Sequence, residues 1–123
     1  LIDHLSIGVS DLERSVRFYD AVLAPLGYER LWSIEKGAGY GSPGGEDKLA
    51  IFTRDKPLPI ASPGFHLAFA APDRSAVDSF HTAGLEAGGA DEGAPGERPH
   101  YAPRYYAAFL RDPDGWKVEA VIQ

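Results

Sequence analysis

Three residues of this sequence have the types and placement for metal chemistry: His4, His66 and Glu119. Two imidazoles and one carboxylate are donors for a divalent transition ion. Such a set leaves coordination positions open for water, dioxygen or a bidentate substrate, as in sites for non-haem Fe(II) and also Mn(II). The chain has no cysteine, so thiolate ligands, disulfides and Cys nucleophiles are excluded and His and carboxylates must hold any metal. Taken singly, each residue has an ordinary reading, a surface or hydrogen-bonded strand histidine or a glutamate on a solvated sheet face. What singles them out is their placement by the strands that carry them.

Glu119 lies in the last strand, fed by Asp112-Pro113-Asp114-Gly115. That is strong turn chemistry: Pro113 presets φ, the Asp side chains bond nearby backbone, and Gly115 accepts positive φ. A hairpin follows. If Arg111 pairs with Trp116, Ala108 stands opposite Glu119, and Lys117 and Val121 share the Glu119 face. His4 belongs to the alternating run Asp3 to Val9, with Leu5, Ile7 and Val9 on one face and His4, Ser6 and Gly8 on the other. His66 lies in Phe65 to Ala70, where Phe65, Leu67 and Phe69 alternate with His66, Ala68 and Ala70.

Between these strands the pattern is regular. Ser10 with Glu13 reads as a capping box for an amphipathic helix stopped by Pro25 and Gly27. Strands are predicted over 28–36, around 39–42 and over 48–53, with a turn at Pro43-Gly44-Gly45. A second helix begins at an Asp73 cap and ends at Gly88-Gly89. Residues 90–104 are rich in Gly and Pro, with a short strand at their start.

The second half repeats the first. Adding 62 aligns His4 with His66, Leu5 with Leu67, Asp11 with Asp73, Phe18 with Phe80 and Gly27 with Gly89, while an offset of 69 places Lys48 on Lys117 and Ala50 on Glu119. Two β-α-β-β-β modules result, about 1–54 and 65–123, joined by a Pro-rich linker at 55–64. The fold class expected is α+β, a cupped mixed sheet of two βαβββ modules with helices on its outer face, in a single domain spanning 1–123. Bulky alternates such as Ile7, Ile51, Leu67 and Val118 belong under the helices. The inner face collects His4, Ala50, His66 and Glu119 among small residues, with Phe52, Tyr106 and Lys117 as larger members. Tyr106 is assigned as proton donor or orienting group, and His81 and His100 are assigned to the surface.

A formal charge of −6 and a pI of about 5.1 oppose nucleic-acid binding. No apolar run approaches the ~18 residues of a membrane span and no charged-then-apolar leader opens the sequence, so no membrane partner is expected and a soluble, cytoplasmic protein is.

The run Asp3-His4-Leu5 to Asp11-Leu12-Glu13-Arg14-Ser15-Val16-Arg17-Phe18-Tyr19, with Leu26-Gly27, resembles the opening of the vicinal oxygen chelate superfamily. That superfamily includes glyoxalase I, extradiol dioxygenases, fosfomycin-resistance transferases and bleomycin-resistance proteins. Gly64 to Phe69 and Arg111-Asp112-Pro113-Asp114-Gly115 to Glu119 resemble its second half. The resemblance implies a cup holding a divalent metal (Fe(II), Mn(II), Zn(II) or Ni(II)) on His4, His66 and Glu119, which acts on a small molecule with vicinal oxygens. In glyoxalase I a fourth ligand, a carboxylate, falls where this chain has Ala50, so weak or absent glyoxalase I activity is expected. Glu119 then serves as both ligand and catalytic group. The resemblance also implies a homodimer, with modules pairing either within one chain or between two, and the 55–64 connector is long enough for either arrangement. Its alternatives are a metal-free binding protein of the bleomycin-resistance type and a fosfomycin-type thiol transferase.

Overall fold

The computed structural model describes residues 1–55 and 64–123. Most of the expected linker at 55–64 therefore falls outside the described residues. Module 1 comprises β1 (Leu5–Val9), α1 (Leu12–Leu23) with a 3-10 turn at Ala24–Leu26, β2 (Glu29–Ile34), β3 (Gly37–Gly41) and β4 (Asp47–Thr53). Module 2 comprises β5 (Leu67–Ala70), α2 (Arg74–Glu86), β6 (Ala90–Glu97), β7 (Tyr106–Arg111) and β8 (Lys117–Ile122).

Each module forms a four-stranded mixed sheet, in the orders β1-β4-β3-β2 and β5-β8-β7-β6. In each, the first and last strands pair in parallel, Ser6 with Ala50 and Ala68 with Glu119, and the remaining pairs are antiparallel. The repeat inferred from sequence is thus a repeat of topology. The second half has eight residues in β6, where the sequence suggested only a short strand, because Gly93 and Gly96 bulge without leaving the ladder.

One core serves both modules. Val9, Phe18, Tyr19, Val22 and Ile51 of the first pack with Val77, Phe80, Leu110, Val118 and Ala120 of the second, all of them buried. α1 and α2 meet at Gly84, where an added Cβ would stand 2.2 Å from Leu110 Cδ1 and 3.2 Å from Val22 Cγ1. Only a missing side chain permits that approach.

Polar contacts fix the modules to each other. The N-cap of α1 is Asp11, whose carboxylate accepts from Arg14 N–H at 3.2 Å. The expected Ser10 cap is displaced because Ser10 donates from both its N–H and its hydroxyl to Asp114 in the β7–β8 turn. Beside it, Tyr19 OH donates to buried Asp112 at 2.6 Å. Burial pushes the Asp112 carboxyl up and pushes the Tyr19 hydroxyl well up. α2 has the expected cap, Asp73 accepting from Ala76 N–H at 2.7 Å.

That turn also corrects the predicted register. Trp116 does not pair with Arg111; its N–H donates to Asp112 Oδ1 at 2.9 Å while Asp112 N–H donates to Trp116 O at 2.8 Å. The turn is therefore one residue longer, Arg111 pairs with Lys117, and Phe109 rather than Ala108 faces Glu119. A one-residue slip exchanges the faces of a strand. Ala108 and Tyr106 move to the helix side, and Phe109, Ala107 and Tyr105 take the inner face.

Candidate functional site

Glu119 sits on the inner face of β8 and is fully buried. Its Oε2 accepts from the Tyr105 hydroxyl, which stands just before β7. His66, just before β5, brings Nε2 to 3.1 Å from Oε1. That approach is close but is not aligned as a hydrogen bond, and Oε1 has no hydrogen-bond partner among the described residues. A buried carboxylate oxygen without a donor is costly, on the order of 1–3 kcal/mol or more for a charged group. The His66 side chain is 47% exposed, so Oε1 lies one imidazole away from solvent. Phe109 completes the wall, its ring centroid 6.2 Å from that of His66.

Tyr105 is held protonated. Burial first, then its bond to Glu119, push its pKa up to about 12. Tyr106, the expected proton donor, is on the other face. It donates to Asp78 of α2 at 2.6 Å and lies under the Arg74 guanidinium, 4.7 Å from the ring centroid. Its hydroxyl therefore does not reach Glu119, and the residue that sequence reasoning missed is its neighbour.

His4 is placed elsewhere. It precedes β1, its side chain is 58% exposed, and its Nδ1 stands 2.7 Å from Asp3 Oδ1, which raises the His4 pKa. It lines a mostly apolar cleft with Leu5, Tyr28, Lys48, Leu67 and Ala70, and neither His66 nor Glu119 lines that cleft. The cause is module packing. The end of β1 meets the start of β8, with Trp116 Nε1 donating to Gly8 O at 2.8 Å, while Tyr28 OH donates to Ala70 O at the end of β5. β1 thus runs opposite to its repeat partner β5, and residues preceding the two strands sit toward opposite ends of the junction. Among the described residues, no three His, Asp or Glu side chains gather as a metal-binding group.

The remaining expectations divide. Ala50 faces inward as parity required, buried between Ser6 and Gly39, whose missing side chain accommodates the Trp32 indole. His81 is not a surface residue. It is buried against β6, with Nε2 2.8 Å from Asp91 Oδ1, a contact that lowers the Asp91 pKa.

The sequence matches the model of the Glyoxalase/Bleomycin resistance protein/Dioxygenase superfamily over residues 1–120. The chain belongs to that superfamily. It is 31% identical over 134 residues to the uncharacterized protein YqjT of Bacillus subtilis (strain 168), covering 96% of this chain and 95% of that one. Among solved structures, a glyoxalase/bleomycin resistance protein from Albidiferax ferrireducens T118 is 38% identical with a TM-score of 0.85, covering 98% of this chain and 97% of that one. A putative glyoxalase from Bacillus halodurans is 30% identical with a TM-score of 0.72, covering 98% and 94%. Membership accounts for the paired modules and leaves the chemistry to be argued from the site itself. No helix among the described residues is long and apolar enough to cross a membrane.

The His66–Glu119 pair fits a superfamily metal. When nitrogen and oxygen donors each lie about 2.1 Å from one ion at roughly a right angle, they stand about 3 Å apart. The observed 3.1 Å is a His–carboxylate ion-pair distance that also lets both atoms face one ion, and the Oε1 without a hydrogen-bond partner leaves a free donor atom there. In this chain His66 and Glu119 can hold such an ion from one side.

Proposed function

We propose that this chain is a metal-dependent enzyme acting on a small molecule with vicinal oxygens, with His66 and Glu119 as ligands and His4 supplied by a second copy of the chain. The observation that carries the reading is the unsatisfied, buried Oε1 of Glu119 beside His66 Nε2. Bound there, a divalent ion supplies Lewis-acid stabilisation of negative charge developing on a substrate oxygen.

The chain's own residues have defined tasks. Tyr105 fixes the Glu119 carboxylate through Oε2 and leaves Oε1 as the free donor atom. Its phenol keeps its proton across the neutral range, so that proton stays directed to Glu119 while the hydroxyl oxygen remains free to accept a hydrogen bond from a substrate hydroxyl. Phe109 and Ala107 exclude water from the Glu119 side of the strand pair. Ala50 offers neither a ligand nor a proton carrier in module 1. Proton shuttling by a second carboxylate is therefore absent from that position.

A homodimer follows from the same reading, because His4 in its own chain lines a different cleft from His66 and Glu119 and its ring is exposed to a partner. Metal analysis of protein purified without chelator tests the proposal. About one ion per chain is expected, with most of it lost in His66→Ala, Glu119→Ala and His4→Ala. Unchanged content in the first two would remove the site, and unchanged content in His4→Ala alone would remove only the contribution of the second chain.

A further inference from the structure

The cleft bordered by His4 has a volume of about 240 Å³ and a mostly apolar lining. β1 and β5 are edge strands of their sheets, and both contribute to it. Its floor is Leu23, Tyr40 and Leu49, each at most 3% exposed, and its walls are the half-buried Leu5, Leu67 and Phe69. Two hydroxyls that could make this lining polar are committed elsewhere: Tyr28 donates to Ala70 O at 3.1 Å and Tyr40 donates to Asp20 Oδ1 at 3.0 Å. Ile2 stands at the rim with 85% of its surface exposed, so it does not fill the cleft.

Size and charge limit what such a cleft can take. An apolar cavity of roughly 150 Å³ admits benzene, so this larger one has room for a single ring with a short substituent, or for a branched chain of similar bulk. At the mouth, the hydrogen bond from His4 at 2.7 Å and then the nearby Lys48 ammonium hold the Asp3 carboxyl below the usual carboxylate range. These charges largely offset one another and select neither sign. What remains to drive binding is the removal of the walls and of an apolar guest from water.

We propose that this cleft is a binding site for a compact, uncharged apolar molecule about the size of one substituted ring. The guest lies against Leu5, Leu67 and Phe69, with any polar end at the mouth beside the His4 ring. Neither His66 nor Glu119 lines the cleft, so the site stands whether or not the metal reading holds. Both modules supply its walls, and a guest that binds only where they meet stabilises the folded chain by mass action.

Toluene is the probe, titrated into methyl-labelled protein and followed by NMR. A saturable site with a Kd of about 0.1–1 mM is expected, within reach of a ligand of about seven heavy atoms. Ring-current shifts should be confined to the methyls of Leu5, Leu23, Leu49 and Leu67, and the affinity should stay within about twofold as salt is raised. Ala70→Phe sets a ring at an exposed position of the rim and should weaken toluene by about tenfold or more. Leu67→Ala opens one wall and should shift preference from toluene toward butylbenzene; should Ala70→Phe lose its native methyl spectrum, that shift decides the matter. No saturation up to the solubility limit of toluene, shifts scattered over surface methyls, or parent affinity in a folded Ala70→Phe would overturn the site. Affinity that falls as protein concentration rises would overturn it as well, because a second copy of the chain would then be the occupant. Glu119→Ala should bind toluene as the parent does while its metal content tests the functional reading alone, so the two can fail separately.

Discussion

Tyr105 and Tyr106 are neighbours in sequence and donate to carboxylates on opposite faces of one sheet, Tyr105 to Glu119 and Tyr106 to Asp78. Replacing each by Phe therefore separates chemistry from packing. Tyr105→Phe is expected to lower metal affinity or turnover by about 10–100-fold, the scale of a lost partner that orients a metal ligand. Tyr106→Phe should leave turnover within about twofold and cost about 1 kcal/mol of stability. Steady-state rates and urea unfolding of both variants check this, and equal kinetic losses would return Tyr106 to the site.

The Tyr105 phenol gives a pH signature. Its pKa in the folded chain is about 12, raised above the ordinary value of 10.0. A group whose folded pKa is raised stabilises the fold fully below its unfolded pKa. Its contribution is lost as pH climbs from about 10 through about 12. Absorbance titration near 295 nm should show that step in the parent and lack it in Tyr105→Phe. A tyrosine step near 10 that disappears in Tyr105→Phe would contradict the assignment.

The junction between modules should be sensitive at Tyr19. Tyr19→Phe removes the 2.6 Å donor to buried Asp112 and is expected to cost about 1–3 kcal/mol. Asp112→Ala should cost more, since it also removes the acceptor for the Asp114 and Trp116 N–H groups that close the turn. Chemical denaturation measures both. A neutral Asp112→Ala would show that the turn is held some other way.

Gly84→Ala should be destabilising although alanine is the better helix former, because its Cβ would enter the space of Leu110 Cδ1. Overpacking of this kind costs about 1–3 kcal/mol. A melting temperature at or above that of the parent would mean that α1 and α2 separate readily.

Sedimentation tests assembly. A homodimer at micromolar concentration is expected, and with it mixed metal sites: His4→Ala chains mixed with Glu119→Ala chains should recover one site in each mixed dimer, about a quarter of all sites at full statistical exchange. A monomer that still binds one ion per chain would eliminate the shared site.

What the sequence determined by itself was carried by strand alternation and by the repeat of one half in the other. Alternation in β1, β4 and β8 put Ile7, Ile51 and Val118 under the helices and Ala50 and Glu119 on the inner face. The common offset between His4 and His66 revealed two modules of one topology. Two decisions needed tertiary structure. The first was the register of β7 on β8: the Asp112 side chain captures the Trp116 N–H, lengthens the turn by one residue and so exchanges Tyr106 for Tyr105 beside Glu119. The second was the orientation of one module on the other, set by Gly84 at the helix crossing and by Ser10 and Tyr19 reaching the β7–β8 turn. A repeat fixes which residues are equivalent and says nothing of the rotation that relates them. That rotation separates His4 from Glu119 within the chain, because matched positions converge only where they lie near its axis.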